Sequence, residues 1–412
     1  MNRIKLASNL PLFFVYKFLN SFILDRGIWM LFLVSKGFSL AEIALIETAY
    51  HCTIFLLEVP TGYIADRYGK RVSLLLAECA GVLSASLLLW GENAAVIIAG
   101  FILGGLVGTF QSGATGAMIF ETLKALGKEA AFKRYNSHLS AVVLLTMGVS
   151  GAAGGALSDI DWMWVYAGKV ILHVLTLAII LLLVEPVPEE SGKPDPSSGG
   201  ATSYSFMRQI TEGSRFMKIN VSFFSLCLFG AILYSMSWSV SFYSQVVFQS
   251  IGLGNPIIGM LNGLETWVSA GIAAVAFLGE RKLGKQGSLF ISGVGFIVFL
   301  VIFAIKPSVE HVIAAFFMMS VCISYLEPLM EAYLNELLPS HMRATMLSFF
   351  SMMISAGMMM TFSFIGFLAD RTDLSTALKY VLLIWIPICL ATMLWSLRHA
   401  KKDESGRRGN EK

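Results

Sequence analysis

Gly62-Tyr63-Ile64-Ala65-Asp66-Arg67-Tyr68-Gly69-Lys70-Arg71 is a short basic turn set between two long apolar runs. Gly62 permits close approach of a second helix, Gly69 permits a tight turn, and Asp66 places an acid among basic residues. The runs on either side, 40–64 and 72–91, are each long enough to cross a bilayer as a helix, which takes about 20 mostly apolar residues. A plain surface turn is the blander reading, and the rest of the chain argues against it. Of the 412 residues, 56% are hydrophobic and 14% charged, with a mean hydropathy of +0.71. Soluble proteins carry about 25% charged residues, so most of this surface cannot face water. A soluble enzyme, a disordered regulator and a nucleic-acid-binding domain are excluded. The net charge of +3 is too small to call for a polyanionic partner, and the partner composition does call for is a lipid bilayer.

Outward from that turn, apolar runs and polar breaks predict spans near 10–34, 40–64, 72–91, 94–121, 138–157, 162–184, 219–247, 255–278, 288–305, 310–335, 345–368 and 377–397. Continuous runs such as Ala94–Phe120, Trp162–Val184 and His311–Met330 lack the alternation of a barrel strand, so the expected fold is all-α. The first run, Leu10–Val34, is too long for a signal-peptide core and no small-residue cleavage pattern follows it. The widest break, 185–218, divides the spans six and six. It starts as a Pro-, Gly- and Ser-rich acidic stretch, and 205–218 places Phe206, Ile210 and Met217 opposite Arg208, Glu212 and Arg215, a pattern for a helix on the membrane surface. The expected organisation is a bundle over 1–184, a linker over 185–218, a second bundle over 219–397 and a basic tail over 398–412. With the amino terminus inside, 23 of the 30 Lys and Arg residues fall on the cytoplasmic side, four outside and three within spans. The positive-inside rule then puts both termini in the cytoplasm. Five widely spaced cysteines, Cys52, Cys79, Cys227, Cys322 and Cys389, form no CxxC and suggest neither a disulfide framework nor a zinc site.

The turn closely resembles the GxxxDRxGRR signature of the major facilitator superfamily, carried here by Gly62, Asp66, Arg67, Gly69, Lys70 and Arg71. The resemblance implies twelve transmembrane helices in two six-helix bundles, transport by alternating access, and a role for Asp66 and its neighbours as a conformational latch. The stretch Gly279-Glu280-Arg281-Lys282-Leu283-Gly284-Lys285 is a degraded echo of the same turn in the second half, as related halves would have. Phe110-Gln111-Ser112-Gly113-Ala114 with Ile119-Phe120-Glu121-Thr122-Leu123-Lys124, and Arg343-Ala344-Thr345 with Ser348, look like bacterial efflux-type members, including macrolide exporters. Two departures count against antiport. Gly108 stands where many proton-coupled antiporters carry Arg, and Gly151-Ala152-Ala153-Gly154-Gly155 lacks the proline of their fifth span.

Charges within spans cost about 2.5–3.5 kcal/mol each on insertion scales, so each is a candidate functional site. Asp25 and Arg26 lie in the first span, about 100° apart around the helix, so they cannot both face the same partner. Asp25 reads as a proton or cation site, and an ion pair to an acid elsewhere is the plainer reading of Arg26. Glu47, His51 and Glu58 share a stripe of the second span, where carboxylate and imidazole one turn apart suit a proton relay. Glu58 itself reads as interfacial. Glu327 and Glu331 flank Pro328 in the tenth span, where mutual repulsion favours keeping a proton on one of them. Glu265, with Asn262 a turn earlier, is a further deep acid. Lys169 and His173 read as structural. Lys17 and Glu78 rank lower because each could reach a membrane boundary, and solvation is the simpler account of Glu121. Tyr234, Trp238 and Phe242 form a stripe on the seventh span and Trp267 lies in the eighth. Helix packing explains such a stripe more often than a ligand cage, but one lining a cavity would suit a lipophilic or cationic aromatic compound.

No GxxxxGK[ST] loop and no catalytic motif in a suitable context occurs, so no cofactor, metal or enzymatic activity is expected and a proton gradient is the expected energy source. The preferred expectation is a monomeric, multi-pass inner or plasma membrane transporter that exports a small lipophilic or drug-like compound in exchange for protons. An importer or uniporter of a metabolite keeps the fold and changes the transport. A non-transporting receptor on a transporter scaffold is a third reading, disfavoured by the number of deep acids.

Overall fold

A computed structural model describes residues 3–186, 216, 217, 219–306, 308–338 and 343–410. Nearly all of these are helical and none is in a strand. Apart from residues 216 and 217, the predicted surface helix over 205–218 lies outside the described residues, as does most of the linker. The helices divide between two units, each compact in itself.

The first unit comprises 1–32, 46–202 and 253–266. It opens with α1 (Arg3–Ala7), α2 (Asn9–Asn20) and the start of α3 (Trp29–Ser35), followed by most of α4 (Leu40–Tyr68), then α5 (Lys70–Trp90) and α6 (Ala94–Gln111). It is completed by α7 (Ala114–Ala125), α8 (Phe132–Ile160) and α9 (Trp162–Leu182). Polar residues mark the helix starts, as free amide groups there require. The Asn93 side chain accepts from Val96 N–H, and Asp161 from Met163 N–H. Part of the apolar core gathers Phe13, Tyr16, Leu74, Met118, Leu139 and Ile180 from five of these helices, all fully or almost fully buried.

The second unit comprises 33–45, 203–252 and 267–412. Its helices are α10 (Val221–Ser250), most of α11 (Asn255–Ile305), α12 (Val309–Glu336), α13 (Arg343–Arg371) and α14 (Leu374–Asn410). The 51 residues of α11 are two helices joined at Gly284, whose φ of 67° and ψ of 176° are not helical. The degraded echo of the signature turn therefore does turn the chain, at the glycine that tolerates that backbone. On α13, Asp370 accepts from the backbone N–H groups of Leu40 and Ala41 at 2.9 and 3.2 Å, which caps the first turn of α4. Residues 33–45 belong to this unit, so the cap lies within it.

Among the described residues, ten helices are long and apolar enough to cross a membrane. Counting α11 as two spans and adding the first span, which is interrupted, brings the number to the expected twelve. The interruption departs from the continuous first span that hydropathy predicts. Residues 21–28 leave the helix between α2 and α3, and their backbone bonds are turn-like, such as Ile23 N–H to Ser21 O, Arg26 N–H to Ile23 O and Ile28 N–H to Asp25 O.

Candidate functional site

The interrupted stretch carries Asp25 and Arg26. Non-helical backbone at membrane depth is tolerated where protein buries it or a water-filled cavity borders it, and several contacts shelter this one. Ser150 donates to the Ile23 carbonyl at 3.1 Å, and the Asn262 amide reaches the Gly27 carbonyl at 3.5 Å. The Leu24 carbonyl lies against Gly154 of α8, where an added Cβ would collide with its oxygen. The same glycine-rich face of α8 receives residues 255–263 of α11, which belong to this unit. There Gly151 and Gly155 face the Gly259 and Asn255 carbonyls, and Gly263 faces that of Gly148. Without a proline, the fifth-span pattern still serves close helix packing.

Asp25, buried in this stretch, accepts a hydrogen bond from Lys169 Nζ of α9 at 2.5 Å. Lys169 also lies 5.5 Å from the centroid of the Tyr166 ring, and the buried Tyr166 hydroxyl has no hydrogen-bond partner among the described residues. Tyr50 and Tyr166 are both within electrostatic reach of Asp25. Arg26 diverges from Asp25, not because of a 100° helical step but because the backbone is not helical. Its guanidinium is exposed, meets Met147 Sδ at 3.0 Å and lies within electrostatic reach of Glu265. Glu47 is buried, and its Oε1 lies 3.2 Å from His51 Nε2 without the geometry of a hydrogen bond. Tyr50 and His51 meet edge to face at 5.4 Å.

Lys169, read as structural, is the partner of Asp25. One expectation for this unit needs correction: Glu78 does not sit at an exposed boundary but is fully buried. Its carboxylate accepts from Gln111 Nε2 at 2.9 Å and Asn20 Nδ2 at 3.3 Å, and lies 2.7 Å from His173 Nδ1. Nothing in the sequence marks Glu78 as interior apart from the His173 that recurs one turn after Lys169. Glu58, read as interfacial, is exposed and accepts from the Ser112 hydroxyl at 2.5 Å. At Gly108 a side-chain Cβ would have no neighbour within 4 Å, so the lack of a side chain there is not a packing requirement.

In the signature turn, Asp66 is 80% exposed and pairs with Lys70 at 3.2 Å, and Lys70 lies 3.9 Å from Glu121. Arg67 donates to the Tyr63 hydroxyl at 2.5 Å and lies over the Tyr63 and Tyr68 rings. Gly62 has no close neighbour, so it supports no close helix approach here. Gly69 has φ 104° and starts α5. The Glu185 carboxylate, assigned by sequence to the linker, accepts from the N–H groups of Lys70 and Arg71 at 2.8 and 2.7 Å. Arg71 returns the contact by donating to the Ile180 and Leu181 carbonyls at the end of α9. An acid at a helix start and a guanidinium at a helix end both complement the helix dipoles.

In the second unit Glu327 and Glu331 are exposed neighbours on α12. Tyr234 is buried within electrostatic reach of Glu327, and its hydroxyl has no hydrogen-bond partner among the described residues. Trp238 is 46% and Trp267 40% exposed, with Trp238 and Phe242 6.4 Å apart. Among the described residues, no group of His, Cys, Asp and Glu side chains could hold a metal ion.

A match to the Major Facilitator Superfamily covers residues 11–305 and again 228–412. The chain belongs to this superfamily. An uncharacterized MFS-type transporter of Bacillus subtilis (strain 168), YxaM, is 20% identical over 372 residues, covering 89% of this chain and 90% of that protein. Among solved structures of similar fold, the nucleoside transporter NupG superposes with a TM-score of 0.75 at 13% identity, over 96% of this chain and 99% of that one. A D-xylose-proton symporter superposes with a TM-score of 0.68 at 12% identity, over 96% of each chain. A POT family transporter solved with 5-aminolevulinic acid gives 0.71 at 14% identity, over 95% and 96%. The solved structures show the shared fold, and membership of the superfamily makes the chain a multi-pass membrane transporter.

Proposed function

We propose that the chain is a proton-coupled secondary transporter of a small molecule, working by alternating access, with Asp25 as its first coupling carboxylate. The observation that carries this reading is the buried Asp25–Lys169 pair in the interrupted first span. A carboxylate held by a single lysine, with tyrosines around it, can exchange that partner for a proton. Once Asp25 is neutral, Lys169 is free to find another acceptor, which could be a substrate group. Interrupted spans are also where transporters of other folds place substrate and ion sites. Glu47 with His51, and Glu265 near Arg26, are second-rank coupling candidates beside Asp25, while Glu327 and Glu331 take that role in the second unit. The superfamily's signature turn supports a latch function for Asp66, with Lys70 as its observed partner. The reading includes a monomer in the inner or plasma membrane, and the charge asymmetry of the chain supports both termini in the cytoplasm.

The exposed Trp238 and Trp267 favour a second reading, in which the compound is lipophilic or an aromatic cation and is exported against protons. The test is reconstitution in liposomes holding an interior pH dye, with lipophilic cations, antibiotics, nucleosides, sugars and short peptides added across a proton gradient. Substrate-triggered proton movement that disappears in Asp25→Asn supports coupling through Asp25. Substrate flux with no proton movement makes the protein a uniporter.

A further inference from the structure

We propose that Asp370 is a releasable latch on the start of α4, a second copy of the device that the signature turn carries at the other end of that helix. Gly366-Phe367-Leu368-Ala369-Asp370-Arg371, at the end of α13, repeats Gly62-Tyr63-Ile64-Ala65-Asp66-Arg67, near the end of α4. Four of the six positions are identical, and the other two keep an aromatic and an aliphatic residue. The copies share local structure as well. Arg371 lies 4.0 Å from the centroid of the Phe367 ring, as Arg67 lies over that of Tyr63. They differ in what they hold. Asp66 pairs with Lys70, four residues on, and a Cβ at Gly62 would meet nothing within 4 Å. Asp370 instead binds a helix start far along the chain. A Cβ at Gly366 would lie 2.5 Å from the Leu40 carbonyl oxygen and 3.0 Å from Ala44 Cβ.

The first turn of α4 shows how Asp370 is fitted to it. Amide groups at a helix start lack partners within the helix. Here Ser39 and Glu42 form a capping box. The Glu42 N–H donates to Ser39 Oγ at 3.2 Å, and the Ser39 N–H donates to Glu42 Oε2 at 2.8 Å. The Ile43 N–H already makes a helical bond to the Ser39 carbonyl at 2.9 Å. The box leaves the N–H groups of Leu40 and Ala41, and Asp370 takes these two, one with each carboxylate oxygen. Its charge also meets the positive end of the α4 dipole. The local sequence thus starts the helix by itself, and Asp370 adds the hold on α13. Asp370 is exposed, so water can replace it at both amides, and the contact can open without leaving a buried charge unpaired. Residues 40–45 of α4 count with the second unit and 46–68 with the first, so opening this contact lets the start of α4 part from α13. What that release does for transport rests on the transporter reading above, while the cap and its opening do not.

The test uses the full-length protein in lipid nanodiscs with no substrate added. Hydrogen exchange, read on peptides that contain Leu40 and Ala41, should be at least tenfold faster at those amides in Asp370→Ala than in wild type. Unchanged rates overturn the cap. Ala44, buried one turn further along α4, becomes the probe for opening. In Ala44→Cys, modification of residue 44 by a charged maleimide is resolved from the native cysteines by tandem mass spectrometry. It should be slow, and should rise at least fivefold when Asp370→Ala is added. Faster exchange without faster modification would make Asp370 a static cap and overturn the latch. Should Asp370→Ala fail to fold, Gly366→Ala takes its place, because its Cβ pushes on the Leu40 carbonyl and removes no charge. It too should raise the modification rate at least fivefold, and no rise overturns the proposal. Failure of every compound to move in liposomes would sink the transporter reading and leave both measurements standing.

Discussion

Asp25 shows how little a single residue's identity says before its partner is known. Its charge is matched by Lys169 at 2.5 Å, with both side chains less than a fifth exposed. Removing one member of such a pair strands the other, at a typical cost of about 3–5 kcal/mol. Asp25→Asn should therefore lower thermal stability in detergent by several degrees, and Asp25→Asn with Lys169→Gln should recover part of the loss. A double variant no better than the single one would mean that Lys169 has another anchor. Asp373, outside the membrane spans, makes a pH prediction. The Thr376 hydroxyl and backbone N–H, the latter at 3.1 Å, hold its carboxyl below the usual range. Its stabilising effect is thus complete above the ordinary carboxylate pKa of about 3.9 and fades as pH falls through its lower folded value. The melting difference between wild type and Asp373→Ala should be constant from pH 7 to 5 and shrink below pH 4.

At the scale of elements, two contacts decide how helices of the first unit meet. Gly154 gives room to the Leu24 carbonyl, and that carbonyl belongs to the stretch that holds Asp25. Gly154→Ala should cost about 1–3 kcal/mol as an overpacking change. It should also disturb the neighbouring pair, read as lost proton movement in liposomes even where the protein still folds. Glu185 caps α5 while Arg71 binds the end of α9. Glu185→Ala should destabilise by about 1–2 kcal/mol through the lost cap and dipole interaction, measured by thermal unfolding. An unchanged melting temperature would show that solvent replaces the carboxylate without loss. The glycine cluster on α8 is legible in the sequence as a packing surface. Its partner is not, because a stripe of small residues states that something comes close without saying what.

For the whole molecule, a transported compound should stabilise the folded protein by mass action, by about 2.7 kcal/mol at a hundred times its dissociation constant. A thermal-shift panel at two pH values should find compounds whose stabilisation differs between wild type and Asp25→Asn. A panel whose shifts are identical in both would remove Asp25 from the binding equilibrium. The spans, their number and the signature turn follow from the sequence because a bilayer permits only internally bonded helices, which makes long apolar runs unambiguous. Charge asymmetry, likewise, is a count along the chain. The interruption at 21–28 is hidden there, since Ser21-Phe22-Ile23-Leu24-Asp25-Arg26-Gly27-Ile28 is apolar enough to pass for helix. What leaves it unwound are groups from α8, α9 and residue 262 that satisfy or pair it from far along the chain. Glu78 is misread for the same reason: an acid in an apolar run looks costly until Asn20, Gln111 and His173 are known to surround it. Hydropathy and spacing are local, so they settle the membrane class and the helices. Pairing of charges is long-range, so only the tertiary structure decided which acids are held and by what.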